Sequence, residues 1–427
     1  MKKTSVLAAS VEFIEQPFLT PLQISSGLIT KATEARVNVT VRVGEHEGTG
    51  RGSIYLSDLW AWPGPTPDRA AKDKAMRELC EAIARSLFTL CGGEAAHPLE
   101  LGLRLHHALS VPDMPLLAPA VCASPFDAAI HDAVGQALAL SAFRFYESDA
   151  PIPSADRWFP RGGALRAIRE VLRPPVQTLK AWWLVSAKDD LEHAVRPAVA
   201  KNGIHCFKIK LLAHDNTADA VRTAQVYQAA RSWGLSPTLS IDSNEGNPSA
   251  AAVVDYLEQL ESLDPAAYAS LAYLEQPTAR DIAASPQDWR AVAKRKAVLL
   301  DEGLTSLDLL PLALEQHWSG LALKTCKGHS FSLVAAAWAR QNNRLLSLQD
   351  LTNPGYSAIH AFLFGAHLAT LNGVELNSPQ YTPAANRPWL PALSGLFEPH
   401  AGAHHLHQPG APGLGSSLVR TSTPHIP

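Results

Sequence analysis

The chain has 427 residues, 46% of them apolar and only 18% charged, and 37 basic against 40 acidic residues leave a formal net charge of −3. That balance excludes a disordered polymer, which is charge-rich and apolar-poor, and it lacks the basic excess that nucleic-acid binding relies on. No apolar stretch approaches the roughly 18–20 residues that span a bilayer. The apolar run after Lys2 and Lys3 is too short for a secretion signal. Five scattered cysteines (Cys80, Cys91, Cys122, Cys206, Cys326) form no CxxC spacing and no disulfide framework or zinc site. A reduced, cytoplasmic, soluble protein with no membrane or nucleic-acid partner is expected.

Residues 11–62 read as β structure. Val37–Val43 alternates apolar and polar residues as a half-buried strand does, and Gly48, Gly50 and Gly52 predict a glycine-rich turn after it. Over residues 67–90 the spacing of Ala75, Leu79, Ile83 and Leu87 predicts a helix. A second helix is predicted over 124–140, with Ser124 as N-cap and Pro125 in the first helical position. The first 125 or so residues therefore read as a small α+β module.

From about residue 178 short apolar runs alternate with helical stretches. The runs are Leu179–Val185, Cys206–Leu212, Thr238–Ile241, Leu271–Leu274, Ala297–Leu300, Leu321–Leu323, Leu345–Leu348 and Gly373–Leu376. Strands apolar on both faces belong to a parallel sheet covered by helices, and eight βα-type units predict a (β/α) barrel of the TIM type. The alternative, a doubly wound sheet, often carries a glycine-rich phosphate loop, and no GxGxxG or P-loop is found. The tail from Pro399 is rich in Pro, Gly and His and is expected to be irregular.

Lys208 and Lys210, in HCFKIKLL, are two apart and share one strand face. Phe207, Ile209 and Leu211 suit the helix-covered outside, so the lysines face the barrel interior, where charge is costly unless paired or used. The next four runs end in Asp242, Glu275, Asp301 and Lys324, each about one βα unit from the last. Five consecutive strands thus put a charge at the C-terminal rim, where barrel active sites lie. Three carboxylates on adjacent strands can converge on a hard divalent cation, Mg²⁺ or in its place Mn²⁺. The lysines, four strands apart, would face one another across a bound substrate. That arrangement suits removing a proton from carbon beside a carboxylate. The cation stabilises the charge of the enediolate, and burial with a neighbouring cation makes a lysine a usable base.

The motifs KIK at 208–210, Asp242-Ser-Asn244, LEQP at 274–277, DEG at 301–303 and LKTCK at 323–327 resemble the enolase superfamily, and within it the muconate lactonizing enzyme subgroup. FLTPLQISSGLITKATEARVNVTVRV followed by GTGRG is similar to that family's capping domain, and PGLG at 412–415 to its returning segment. The resemblance implies a modified (β/α)7β barrel over 126–379, an α+β cap over 1–125 and a segment over 380–427 that returns to the cap. It implies Asp242, Glu275 and Asp301 as Mg²⁺ ligands, and Lys210 and Lys324 as the acid/base pair. Lys208 would tune Lys210 and contact the substrate carboxylate, and Asn244 and Glu302 would support them. It further implies a small carboxylate substrate and a homo-oligomer, dimer or octamer.

Racemization or epimerization by two opposed lysines is the expected reaction, with cycloisomerization or β-elimination of water as the alternative. Two branch signatures are missing. The seventh run reads LLSLQDL, with Gln349 and Asp350 where the mandelate racemase branch carries His. The eighth reads VELNSP, with Glu375 and Asn377 rather than the Asp-x-Asp of many dipeptide epimerases. Substrate contacts are expected from Ile54, Tyr55, Trp182, Asp350 and Glu375. Three other readings compete: a structural ion-pair network, a Schiff-base lysine and a non-catalytic ligand-binding barrel. Buried charge is costly without excellent pairing, which argues against the first; three carboxylates in register argue against the second, and intact lysines and carboxylates at all six positions against the third. His329 reads as a solvated or hydrogen-bonded loop residue, His404, His405 and His407 as a solvated tail, and Cys206 and Cys326 as packing residues.

Overall fold

Three antiparallel strands open the chain: β1 (Thr4–Ile24), β2 (Gly27–Val43) and β3 (His46–Tyr55), in the order β1-β2-β3. The alternation read from sequence buries Ala35, Val37, Val39, Val41 and Val43 on one face. The structure, a computed structural model, describes residues 3–24, 27–147, 150–160 and 163–418. Helices α1 (Asp58–Ala61), α2 (Arg69–Leu90), α3 (Pro98–Ala108) and α4 (Leu117–Leu138) follow the sheet.

Gly48, Gly50 and Gly52 do not form a turn. They lie in β3, and a Cβ on any of them would collide with the backbone of α4, at Ala133 and Ala137, Ala129 and Ala133, and Pro125 respectively. Missing side chains on every second residue let the helix lie directly against the strand. The helix predicted over 124–140 begins earlier, at Leu117. Pro125 lacks the N–H that would reach Val121 O, and the Ser124 hydroxyl donates to that carbonyl instead, at 2.8 Å. A helix interior therefore carries a Ser-Pro pair that reads as a helix start, and a boundary at residue 125 falls inside α4.

The second half of the chain supplies β4 (Thr178–Lys180), β5 (Trp182–Val185), β6 (Cys206–Lys210), β7 (Thr238–Asp242), β8 (Leu271–Glu275), β9 (Ala297–Leu300), β10 (Gly320–Lys324), β11 (Leu345–Gln349) and β12 (Ala403–His405). Strands β5 to β11 form a seven-stranded parallel sheet in chain order. With the separate antiparallel sheet at the N-terminus, this is a TIM-type barrel carrying a cap. The run Leu179–Val185 is two strands, because β4 leaves the barrel to pair antiparallel with β12. The tail is therefore less irregular than expected, and His404 is buried, its ring nitrogen 2.8 Å from Leu396 O. His407 is exposed, as expected, and His405 is half-buried.

The eighth run, Gly373–Leu376, forms a single bridge, Gln349 to Glu375, rather than a strand. Backbone bonds to β11 remain from Leu371 N to Leu346 O at 2.8 Å and from Glu375 N to Leu348 O at 2.9 Å, and between them the Asn372 side chain supplies the rest: it accepts from Leu348 N at 3.0 Å and donates to Leu348 O at 2.8 Å. Trp182 Nε1 reaches Asn372 O at 2.7 Å, so this segment spans the gap between β11 and β5.

Buried polar groups join cap to barrel. Asp127 of α4 accepts from Ser330 N at 2.8 Å and from Ser330 Oγ at 2.7 Å. His329 is not in a solvated loop: it opens the helix His329–Gln341, is fully buried, and sits 2.9 Å from His360 Nε2. Burial pushes His360 down to about 3 and holds His329 well below the usual range, so both rings are neutral at pH 7. Leu414 N donates to Asp132 Oδ1 at 2.8 Å, which returns the C-terminal segment to α4. Among the described residues no helix is long and apolar enough to cross a membrane.

Candidate active site

Strand register sets the level of the charges. Lys210 lies beside Asp242, Asp242 beside Glu275, and Lys324 beside Gln349. Period-two alternation puts Lys208 on the same inward face as Lys210. Asp242, Glu275 and Asp301 are all fully buried.

The ammonium groups lie between the carboxylates. Lys208 Nζ is 3.0 Å from Glu275 Oε2, 3.3 Å from Asp242 Oδ2 and 3.2 Å from Glu375 Oε2. Lys324 Nζ is 2.6 Å from Asp301 Oδ2 and 3.7 Å from Glu275 Oε1. Lys210 pairs with Asp242 and donates to Asn244 Oδ1 at 2.9 Å. A fourth lysine, Lys327, donates to Asp301 O at 2.5 Å, and Gln349 donates to Glu275.

This crowding divides the acids. Burial opposes ionisation of Asp242, but Lys210, Lys208 and Lys324 overcome it and hold the carboxyl at about 2. Asp301 is likewise held low by Lys324 and Lys327 against burial. Burial, with Asp242 and Asp301 nearby, pushes Glu275 up to about 8 despite Lys208 and Lys324. Glu302 rises to about 7, chiefly through burial and then Asp301. Burial would lower Lys208 and Lys324, yet the surrounding carboxylates raise both above the ordinary lysine value.

Among the described residues no three acidic, histidine or cysteine side chains converge on one point as they stand. Lysine nitrogens occupy the spaces between neighbouring carboxylates. The donors themselves, three buried carboxylates on adjacent strands, are of the kind a hard divalent cation takes. Glu275, pushed up to about 8 by burial first and then by Asp242 and Asp301, would ionise more readily beside a further cation. In donor chemistry the residues fit such a cation.

A cavity of about 70 Å³ lies over this cluster. Lys208, Lys210 and Lys324 line it from the barrel, and Tyr55 and Trp60 from the cap, while Phe18, Leu22, Ile29 and Leu184 make its apolar side. A larger groove of about 460 Å³ lies between α3 and residues 304–308 and shares only Lys327 with the charged cluster.

The structure brings Lys208, Lys210, Asp242, Asn244, Glu275, Asp301, Glu302 and Lys324 together. Glu375 and Tyr55 also line the cavity. Three expectations fail. Ile54 is buried in the core of the cap and does not line the cavity. Trp182 faces inward one layer too low, packed with Cys206, Tyr273, Leu299 and Ala322. Asp350 lies behind the wall, accepting from Thr352 N at 2.9 Å, and Leu351 and Thr352 present themselves instead. Both have left-handed backbones, φ +59° and +65°, which breaks the alternation that would have aimed Asp350 inward.

No pattern in the sequence marks Trp60. Its ring lies 4.9 Å from Lys324 Nζ, and its indole N–H donates to Glu302 Oε1 at 2.8 Å. Leu184 and the hairpin residues Phe18, Leu22 and Ile29 were also missed. For Gln349 the sequence does carry a signal, its place at the end of β11, level with Lys324.

No protein-family model and no curated protein matches the chain in sequence. Solved structures do match in fold. A dipeptide epimerase from Enterococcus faecalis V583, complexed with Mg and the dipeptide L-Leu-L-Tyr, aligns with TM-score 0.67 at 15% identity over 96% of this chain and 99% of that one. An N-succinyl Arg/Lys racemase from Bacillus cereus ATCC 14579 aligns with TM-score 0.65 at 15% identity, over 97% and 95%. A muconate lactonizing enzyme from Pseudomonas fluorescens, complexed with muconolactone, aligns with TM-score 0.63 at 19% identity, over 97% and 96%. At such identities the likeness is one of fold.

Proposed function

We propose that this chain is a divalent-cation-dependent isomerase that moves the α-proton of a small carboxylate, acting as a racemase or epimerase. One observation carries the reading. Lys210 and Lys324 reach the same small cavity from β6 and β10, with the three carboxylate-bearing strands between them. Neighbours in fold that are epimerases and racemases support it.

Mg²⁺, or Mn²⁺ in its place, held by Asp242, Glu275 and Asp301, would neutralise charge that builds on the substrate carboxylate as the α-proton leaves. The protein's own groups do the rest. Either lysine acts as base only once the carboxylate it now pairs with, Asp242 for Lys210 and Asp301 for Lys324, is taken up elsewhere; as the free amine it then takes the α-proton, and the C–H electron pair moves into the carboxylate, giving an enediolate. The opposite lysine, as ammonium, returns a proton to the other face of the same carbon. For the other enantiomer the two exchange roles. Lys208, bridging Glu275, Asp242 and Glu375, holds the carboxylates against one another. Tyr55 and Trp60 of the cap line the cavity opposite the lysines.

The test is deuterium incorporation at the α-carbon in D₂O, over a library of dipeptides, N-acyl amino acids and sugar acids with Mg²⁺ present. Exchange without change of skeleton supports the proposal, and ring closure or loss of water would reassign the same proton abstraction to a cycloisomerase or dehydratase. Lys210→Ala and Lys324→Ala should each lose about 10²–10⁴-fold in turnover. Full exchange in both variants, or undiminished exchange after EDTA, would overturn the mechanism.

A further inference from the structure

We infer that Trp60 is a positioning residue that ties the cap to both lysines of the acid/base pair, through its ring to Lys324 and through its indole N–H to Lys210; the inference rests on the two-lysine reading above. Trp60 belongs to α1, a single turn, so its place is fixed by contacts rather than by helix length. Asp58 forks onto Arg69, at 2.8 and 3.1 Å. The Trp60 carbonyl accepts from Arg280 Nη1 at 3.0 Å, and Arg280 is itself paired with Glu245 in the loop after β7. The residue is only 6% exposed.

From this position the ring covers Lys324 at 4.9 Å and reaches Lys327 at 5.9 Å. A buried indole face holds an ammonium more strongly than an exposed one does. The second route is a relay of hydrogen bonds. Trp60 Nε1 donates to Glu302 Oε1 at 2.8 Å, and Asn244 Nδ2 donates to the same oxygen at 3.3 Å. Asn244 Oδ1 accepts from Lys210 Nζ at 2.9 Å. Asn244 holds φ +41°, and its amide lies between Glu302 and Lys210. One cap residue thus sets the rest position of the proton carrier on each wall.

The two routes separate by substitution. Trp60→Phe keeps a ring over Lys324 and removes the N–H, whereas Trp60→Leu removes both. The readout needs no substrate: reductive methylation of the intact protein with formaldehyde and borohydride, each lysine quantified by mass spectrometry, with buried Lys72 as a control for folding. Trp60→Leu should raise methylation of Lys324 about tenfold. Trp60→Phe should raise Lys210 several-fold and leave Lys324 near its wild-type level. A residue that merely supports the fold would move Lys72 with the others or move neither base.

Unchanged Lys324 in a Trp60→Leu protein whose Lys72 stays protected would overturn the inference. If Trp60→Leu unfolds, Trp60→Phe decides alone, and equal labelling of Lys210 in that variant and in wild type would overturn it. Wild-type exchange on the carboxylate library without this labelling pattern would sink the inference alone. The pattern without exchange would sink the proposed function alone.

Discussion

Replacing Lys208 by methionine removes the one ammonium that touches Glu275, Asp242 and Glu375 together. Methionine fits the volume, so packing changes little and the perturbation is electrostatic. Taking one partner from a buried ion pair costs about 3–5 kcal/mol, because the other charge is left uncompensated. The pH dependence follows from Glu275. Its carboxyl stands at about 8 in the folded chain, above its ordinary 4.5. The unfolded chain therefore binds fewer protons than the folded one through this window, and stability falls as pH rises from about 4.5 to about 8. Above 8 the wild-type carboxyl ionises and the slope from this group ends. Without Lys208 the folded carboxyl moves higher still, and the loss continues upward at up to about 1.4 kcal/mol per pH unit. Urea unfolding in EDTA at pH 6, 8 and 9.5 should therefore show the Lys208→Met penalty growing between 8 and 9.5. A penalty that is flat over that range, or a stabilised variant, would refute the assignment of Lys208 as the charge that keeps Glu275 ionisable.

Gly50→Ala drives a methyl into the backbone of α4 at Ala129 and Ala133; unfolding should show a loss at or above the 1–3 kcal/mol typical of overpacking, while Gly410→Ala, with nothing within 4 Å, should stay near wild type. Ser330→Ala removes the hydroxyl bond to buried Asp127 and leaves the backbone N–H bond in place, for an expected loss of about 1–3 kcal/mol by denaturant titration. Saturating Mg²⁺ should raise the melting temperature of EDTA-treated protein, by about 2.7 kcal/mol of stability at a hundredfold excess over Kd. Glu275→Gln or Asp301→Asn should abolish that rise, and an equal rise in both variants would remove these residues from the cation site.

The barrel half was legible because its signals are local and repeated. An apolar run ending in a charge needs only period-two alternation to say which way the charge points, and neighbouring strands register the charges at one level. Lys208, Lys210, Asp242, Glu275, Asp301 and Lys324 could therefore be placed without any tertiary information. The eighth run failed because a side chain, Asn372, supplies part of the bonding to β11 that a strand's backbone would make, and no periodicity reports that. The Ser-Pro pair in α4 failed for a similar reason: a hydroxyl supplied the hydrogen bond that proline could not.

The cap resisted reading because its contribution is made across distance in the chain. Trp60 lies 242 residues from the carboxylate it bonds, and Tyr55 N lies 298 from the Asn353 side chain that holds it at 2.6 Å. Nothing in the spacing of residues 48–60 shows which of Ile54, Tyr55 and Trp60 will face the barrel. That depends on β3 lying flat on α4, and three glycines permit it. The same glycines that read as a turn therefore fix the height of the cap over the site. If so, Gly50→Ala should disturb more than stability: at temperatures where the variant stays folded, Lys324 should gain methylation along with the loss of packing. A variant destabilised as expected but with Lys324 still covered would separate the cap's packing from its grip on the site.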